Sequence, residues 1–107
     1  MPIQVDVDVI LLRSDESPPP DRVLQAIQTQ AGVRPLVHRL VGRARADDPN
    51  RWATIARARN RGRRLGSTRW VMYVDDDVVL GKDCVARLVE GLRQWPSFAA
   101  LAADYLG

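Results

Sequence analysis

Trp-Val-Met-Tyr-Val-Asp-Asp-Asp-Val-Val-Leu, residues 70–80, is the stretch around which the rest of the chain is organised. Residues 71–74 form a short run of apolar, β-prone side chains that ends in three consecutive carboxylates, Asp75, Asp76 and Asp77. A continuous apolar run of this length is typical of a strand that is buried on both faces inside a parallel sheet. Three adjacent acids repel one another and are costly to bury unpaired, so we expect them at the carboxyl end of that strand.

The carboxyl ends of the strands are the place where open α/β sheets bind their ligands. Clustered carboxylates at this edge suit a hard divalent cation, Mg²⁺ or Mn²⁺, that is held together with phosphate oxygens of a substrate. One carboxylate would ligate the cation and a neighbour would accept a hydrogen bond from a ribose hydroxyl, while the cation offsets the charge of a diphosphate leaving group. The alternative is a polar loop with a helix cap, but a single aspartate suffices for a cap.

The composition is that of an ordinary globular domain, since the 107 residues are 46% hydrophobic and 27% charged. We expect one domain over residues 1–107. The lone Cys84 excludes an intramolecular disulfide and a cysteine metal cluster. No apolar run reaches the roughly 18 residues of a membrane span, and no secretion signal is recognisable. The cytoplasm is therefore the expected location, with attachment to the inner face of a membrane left open.

Strand-like and helix-like patterns alternate along the chain. The predicted strands lie at residues 5–12, 36–41, 71–74 and 98–103, and the predicted helices at residues 21–31, 49–65 and 83–95. Gly66 and Pro96 mark the ends of the second and third helices. The order β-α-β-α-β-α-β predicts the α/β class, with a mainly parallel sheet and right-handed crossovers.

Positive charge is concentrated in one segment, although the net charge of the chain is only +3. Residues 51–69 contain seven arginines and no acid, which predicts an anionic partner near one surface. For most of these arginines a solvated helix face is the expected role. The same helix contains the segment Ala-Arg-Asn-Arg-Gly at residues 58–62, and it leads to the strand that ends in the aspartates.

This combination resembles the nucleotide-binding half of the family 2 glycosyltransferases of the GT-A fold. The corresponding segment of that family reads roughly A-R-N-x-G, followed by A-x-G-x-hydrophobic-D-x-D. The residues that match are Arg59, Asn60, Gly62, Gly66, Asp75 and Asp77, together with Gln30, which matches a glutamine commonly found after the first helix of the family. The resemblance covers about residues 5–101, but its specific part is residues 58–79.

The resemblance implies a Rossmann-like, three-layer domain that binds a nucleotide-diphosphate sugar, with a uridine diphosphate sugar favoured. It implies transfer of the glycosyl group to an acceptor hydroxyl with the help of Mg²⁺ or Mn²⁺. The residues that it assigns to the metal are Asp75 and Asp77, and those that it assigns to the substrate are Arg59, Asn60, Asp75 and Asp76.

The chain departs from the family at three places. The first strand runs into Leu-Arg-Ser-Asp at residues 12–15 instead of a Pro-x-Tyr-Asn type motif. The second strand is followed by Gly-Arg-Ala-Arg at residues 42–45 instead of Asp-Asp-Gly-Ser, with Asp47 and Asp48 coming later. The chain also stops at Gly107, before the acceptor-binding half with its general base, so the catalytic residue stays unassigned. We therefore expect a fragment or a minimal domain, completed by a second copy or by a missing C-terminal half.

Other classes of function remain as alternatives. A non-enzymatic basic α/β module would bind nucleic acid through residues 51–69, with an affinity that falls steeply with salt. The acidic triplet and the small number of aromatic residues disfavour this alternative. A receiver-type domain would need an acid pair at the end of the first strand, where only Asp15 and Glu16 stand. His38 and Cys84 are more typical of packed side chains than of catalytic ones.

Overall fold

The structure, a computed structural model, describes residues 4–13 and 15–97. Strands and helices alternate over this range, which confirms the predicted α/β class. The elements are β1 (Val5–Arg13), α1 (Asp21–Gln28), β2 (Val33–Val41), α2 (Arg51–Leu65), β3 (Trp70–Asp75) and α3 (Cys84–Gln94). The fourth strand that the sequence predicts at residues 98–103 lies outside the described residues. No helix in the described ranges is both long enough and apolar enough to cross a membrane.

The sheet of the described residues has three parallel strands in the order β2-β1-β3. The prediction that the strand before the aspartates is buried on both faces is wrong for this sheet, because β3 is an edge strand and Val71 and Tyr73 are exposed. β1 lies at the centre and pairs with both neighbours, with Val5 opposite Val33 and Val7 opposite Trp70. The chain passes from β1 to β2 on one side, and then returns across the sheet to β3 on the other side. The carboxyl ends of β1 and β3 therefore meet at a topological switch point, where α/β proteins form ligand crevices.

One face of the sheet packs on α1 and α3. The core on this face combines alternate strand residues with one side of each helix: Val7, Val9, Leu11, Val23, Ile27, Val33, Val74, Val85 and Val89. Strand side chains share a face at every second position, and helix side chains share a face at every third or fourth position, so the pattern places all of them inside. Full burial of a side chain of this size contributes roughly 1.5–3 kcal/mol relative to exposure.

The opposite face packs on α2. This helix lies so close to the sheet that a Cβ atom at Gly62 would be 2.6 Å from Cγ2 of Ile10 and 2.9 Å from Cδ1 of Leu40. Real Cβ atoms do not approach other atoms so closely, so the absence of a side chain at this position permits the packing. With α1 and α3 on the other face, helices cover both sides of the sheet.

Three element boundaries differ by two or more residues from the sequence-based prediction. α1 ends at Gln28 and not at residue 31. β2 begins at Val33 and not at residue 36; it is an edge strand of the described sheet and so tolerates Pro35, which has no N–H to donate. α2 begins at Arg51 and not at residue 49, with Asn50 as its cap, since Asn50 Oδ1 accepts a hydrogen bond from the Ala53 amide at 3.1 Å. The Asp48-Pro49 pair predicts Asp48 as the cap and Pro49 as the first helical residue. The Asp48 carboxylate instead binds Thr54 and Arg57 beside a cleft along this helix.

The buried carboxylate of Asp8 joins β1 to the turn before β3. Its Oδ2 accepts hydrogen bonds from the amides of Ser67 at 2.9 Å and Thr68 at 2.7 Å, and from the Thr68 hydroxyl at 2.7 Å. Its Oδ1 lies 2.8 Å from Nε2 of His38, which therefore carries a proton and donates it. Burial by itself raises the pKa of Asp8, but the hydrogen bonds from His38 and from the turn outweigh burial and lower the pKa to about 2.

We expect the free energy of unfolding to fall as the pH decreases from the unfolded-state pKa of Asp8, 3.8, towards its folded-state value of about 2. In this window the unfolded chain binds a proton that the folded chain does not, so the contribution of Asp8 is complete above the window and lost below it. The difference between the two pKa values corresponds to roughly 2 kcal/mol. Urea denaturation at pH 6, 4, 3 and 2 measures this dependence.

The substitution Asp8→Asn should remove this part of the pH dependence and should lower the free energy of unfolding at pH 6 by about 3 kcal/mol, because hydrogen bonds to a buried charge are lost. Asp6→Asn is a matched control two residues earlier on β1. Its partner is Arg34 at 2.7 Å, in an ion pair with both side chains well exposed, and the expected loss is below about 1 kcal/mol. Identical pH profiles for the wild-type chain and Asp8→Asn would contradict the assignment.

Candidate functional site

The carboxyl ends of β1 and β3 form a polar edge, which we call the acidic edge and define by Arg13, Asp75, Asp76 and Asp77. β1 ends at Arg13, and β3 ends at Asp75. Asp76 and Asp77 follow in a turn that is closed by a hydrogen bond from the Val78 amide to the Asp75 carbonyl oxygen at 3.3 Å. The three acids thus lie at the switch point of the sheet.

The three carboxylates of this edge have different surroundings. Asp75 and Asp77 are exposed, and their side chains make no hydrogen bond or ion pair with any described residue. Asp76 is half-buried, and its Oδ2 lies 3.3 Å from Nη1 of Arg13. Asp75 and Asp77 are therefore available to a ligand in this arrangement, whereas Asp76 is engaged in holding the arginine.

Arg13 is a site candidate that the sequence interpretation missed. Its side chain is only 10% exposed, and Nη2 lies 3.7 Å from Oδ1 of Asp15 and 2.8 Å from Oγ of Ser17. Nε and Nη1 are buried and make no hydrogen bond in the described part of the chain, although Nη1 faces the Asp76 carboxylate in the ion pair. Buried donors without acceptors are costly, and an anion bound at this edge would satisfy them. The available signal was the arginine itself, which stands directly after an apolar strand where the resembled family has an uncharged motif.

Arg59 and Asn60 lie on different sides of α2. The hydroxyl of Tyr73 donates to the carbonyl oxygen of Arg59 at 3.0 Å, so this turn of the helix contacts β3 just before the acids. Asn60 stands midway between Ala58 and Gly62, which are buried against the sheet, and it is therefore on the outer side of the helix. Both side chains are exposed and have no polar partner among the described residues.

The residues that carry the family resemblance divide into two groups. The packing explains why Gly62 and Gly66 are glycines, because a Cβ atom at either position would lie less than 3.0 Å from an atom of the sheet. Gln30 is buried and joins the end of α1 to the start of α3: Nε2 donates to the Gly81 carbonyl oxygen at 2.7 Å, and Oε1 accepts from the Val85 amide at 3.0 Å. The side chains of the remaining members make no polar contact with the described residues: Arg59, Asn60, Asp75 and Asp77.

The arginines of residues 51–69 are distributed over several sides of the molecule. Nη2 of Arg61 donates to the Val41 carbonyl oxygen at 3.0 Å, on the β2 side of α2. Arg69 lies over the ring of Trp70, with 4.9 Å from its guanidinium carbon to the ring centroid, near the outer edge of β3. The segment therefore does not present its positive charge as a single face.

The side chains of the acidic edge fit a cation that is shared with a substrate, but they do not form a metal centre by themselves. Among residues 4–13 and 15–97, no group of three or more His, Cys, Asp or Glu side chains converges in a way that could hold a metal ion. Asp75 and Asp77 offer carboxylate oxygens, which Mg²⁺ and Mn²⁺ prefer. Mg²⁺ is commonly held by one or two carboxylates together with substrate phosphates. The residues fit a cation that binds with a diphosphate better than a resident metal centre.

Comparisons of the chain with protein-family models, with curated proteins and with solved structures find no match. The family resemblance therefore rests on the residues that were quoted from the sequence.

Substitution of a motif glycine that packs on the sheet should affect stability more than substitution of an exposed motif side chain. Gly62→Val should lower the free energy of unfolding by about 3 kcal/mol, because the new side chain collides with Ile10 and Leu40. Arg59→Ala and Asn60→Ala should change it by less than about 0.5 kcal/mol, as is usual for surface positions. Urea denaturation measures all three values.

Ala56→Val is the matched control for Gly62→Val, because it adds a β-branched side chain at an exposed position of the same helix. It should cost only the difference in helix propensity, about 0.7 kcal/mol or less. Equal losses for Ala56→Val and Gly62→Val would show that α2 does not pack on the sheet through Gly62.

Proposed function

We propose that the chain is the donor-binding domain of a glycosyltransferase of the family 2, GT-A type, which binds a nucleotide-diphosphate sugar with Mg²⁺ or Mn²⁺ at the acidic edge. The observation that carries the proposal is the pairing of opposite charges at the switch point. Two partner-free carboxylates, Asp75 and Asp77, flank Asp76, whose Oδ2 lies 3.3 Å from Nη1 of Arg13. Nε and Nη1 of this arginine are buried and make no hydrogen bond with the described residues. A diphosphate with a bound cation presents both charges that this edge complements.

Each side chain of the edge has a separate role in this proposal. Asp75 and Asp77 hold the cation, which acts as a Lewis acid and offsets the charge of the departing diphosphate. Arg13 donates to a phosphate oxygen, and Asp76 keeps the guanidinium oriented towards it. Arg59 lies on the turn of α2 that contacts β3, which is consistent with a contact to the nucleotide. A uridine nucleotide is favoured by the resemblance alone.

Transfer of the sugar needs one further group, a base that deprotonates the acceptor hydroxyl. The described residues supply no assigned base, so we propose that transfer occurs when this domain is completed by a second copy or by a C-terminal half. A cytoplasmic location, including the inner face of a membrane, belongs to the same proposal. We also propose a fourth strand beside β3, which would complete the Rossmann-like arrangement.

Nucleic-acid binding through residues 51–69 is the alternative that the sequence leaves open. In the structure, Arg57 is engaged by Asp48, and Arg61 is engaged by a backbone carbonyl group. Arg69 lies near the opposite edge of the sheet, over Trp70. Nucleic acid is bound through many free cations, and these contacts within the protein reduce the number that the segment offers. The distribution of charge therefore favours donor binding.

Isothermal titration calorimetry with uridine diphosphate and other nucleoside diphosphates tests the proposal, with and without Mn²⁺. We expect saturable binding that requires the metal. The double variant Asp75→Asn/Asp77→Asn should weaken it at least tenfold, the loss that corresponds to about 1.4 kcal/mol of binding free energy. Glu90→Gln is a matched control, because this acid is exposed on α3 and away from the acidic edge.

Two results would count against donor binding. The first is no binding of any nucleoside diphosphate by chain that is folded according to its circular dichroism spectrum. The second is equal affinity for the double variant and the wild-type chain, which would place the ligand elsewhere.

A further inference from the structure

A basic cleft lies at the carboxyl end of β2, between α2 and the loop of residues 42–48. Its volume is about 330 Å³. The residues that line it are Val41, Arg43, Arg45, Thr54, Arg57, Ala58 and Arg61. Four of these residues are arginines, and they come from two separate segments that face each other across the cleft. A concave site with converging cations concentrates small anions.

The wall formed by the loop is fixed on the helix by Asp48. This carboxylate accepts hydrogen bonds from Arg57 Nη2 at 2.9 Å, from Thr54 Oγ1 at 2.7 Å and from the Arg45 amide at 2.7 Å. Arg57 Nη2 also donates to the Arg43 carbonyl oxygen at 2.9 Å. The Arg57 guanidinium is the main cause that holds the pKa of Asp48 well below its usual range. The cleft is thereby organised in advance, so an anion would not have to order the loop.

Only part of the positive charge in the cleft is used within the protein. Arg57 is paired with Asp48, and Arg43 is paired with Glu16. The guanidinium of Arg45 has no partner among the described residues. Arg61 uses Nη2 on a backbone carbonyl oxygen and has further donors to offer. One cation without an acidic partner therefore stands on each wall, Arg45 on the loop and Arg61 on the helix.

We propose that this basic cleft binds the phosphate group of a small molecule, with Arg45 and Arg61 as its direct contacts. Arg57 and Asp48 are positioning residues that hold the loop. Planar guanidinium groups match the oxygens of a phosphate in pairs, and two of them can hold it from both sides. The apolar side chains Val41 and Ala58 complete the lining and offer a surface to an organic group attached to the phosphate.

This site is distinct from the acidic edge. The cleft lies at the end of β2 and the acids lie at the end of β3, with β1 between them. Two strand spacings correspond to roughly 10 Å. The cleft is also lined by cations without a free carboxylate, so it needs no metal ion. It is therefore an additional anion position that does not depend on the proposed donor binding.

NMR titration of the full chain in the presence of EDTA tests the proposal, with inorganic phosphate and glycerol phosphate as separate probes. We expect saturable shifts of amides in residues 43–48 and 54–61. Arg45→Gln and Arg61→Gln should each weaken binding about tenfold or more, as expected for loss of a charge-assisted hydrogen bond. Arg64→Gln is the matched control, because it makes the same change of charge on an exposed position of the same helix, outside the cleft. Tighter binding of glycerol phosphate assigns the site to a phosphate ester, and equal binding assigns it to the free anion.

Three results would overturn the proposal. The first is the absence of saturable shifts in these residues. The second is an equal loss of affinity in Arg61→Gln and Arg64→Gln, together with tighter binding of a single-stranded oligonucleotide, which would identify a nucleic-acid surface. The third is loss of phosphate binding in Asp75→Asn/Asp77→Asn but not in the arginine variants. This last result would place the anion at the acidic edge, so the proposed donor binding would survive while the cleft proposal fails.

Discussion

Parallel pairing of β1 with both β2 and β3 is the constraint on which the rest of the structure depends. A central strand with a neighbour on each side forces the two crossovers to leave in opposite directions. Because parallel strands carry their carboxyl ends to one edge, Arg13 and the acids after β3 meet there without any local sequence signal that joins them. The site is thus a consequence of topology, and its chemistry depends on which side chains happen to follow each strand.

The buried Asp8 is the polar element that fixes this topology at the opposite edge. It is fully buried and accepts hydrogen bonds from the turn that leads into β3 and from His38 on β2. Since a buried carboxylate without these donors would be strongly unfavourable, the register of all three strands is coupled to one side chain. Gly66 belongs to the same arrangement, because a Cβ atom there would lie 2.9 Å from Oδ2 of Asp8. The hydrogen-bonded carboxylate of Asp8 therefore both stabilises the fold and fixes the position of β3.

The local sequence pattern predicted the features that depend on residues close together in the chain. Apolar periodicity gave the strands and helices of the described range, and the repulsion between adjacent acids placed Asp75, Asp76 and Asp77 at the end of a strand. The expectation that this strand is buried on both faces is wrong, because β3 lies at an edge of the described sheet with Val71 and Tyr73 exposed. The local pattern did not predict the contacts of Arg13 with Asp76 or of Asp8 with Thr68, because they join segments distant in the chain. It also did not predict the partners of Asp48, which include a side chain further along the following helix. The helix start shows the same limit: an Asp-Pro pair is a good local cap, but the carboxylate is held by Arg57 of the helix itself, and Asn50 takes the capping role. The reason for each motif glycine likewise emerged only from the packing of α2 on the sheet.

Paramagnetic broadening of amide resonances by Mn²⁺ measures most directly whether a cation binds beside the switch point together with a diphosphate. In the presence of uridine diphosphate, selective broadening should begin at the amides of Asp75 to Val78 and extend to Arg13 on the neighbouring strand. The amides of Ser67 and Thr68, before the start of β3, should broaden far less. Broadening centred on another acidic group, such as Asp47 and Asp48, or uniform broadening that ignores the nucleotide, would contradict a cation and diphosphate site at the end of β3.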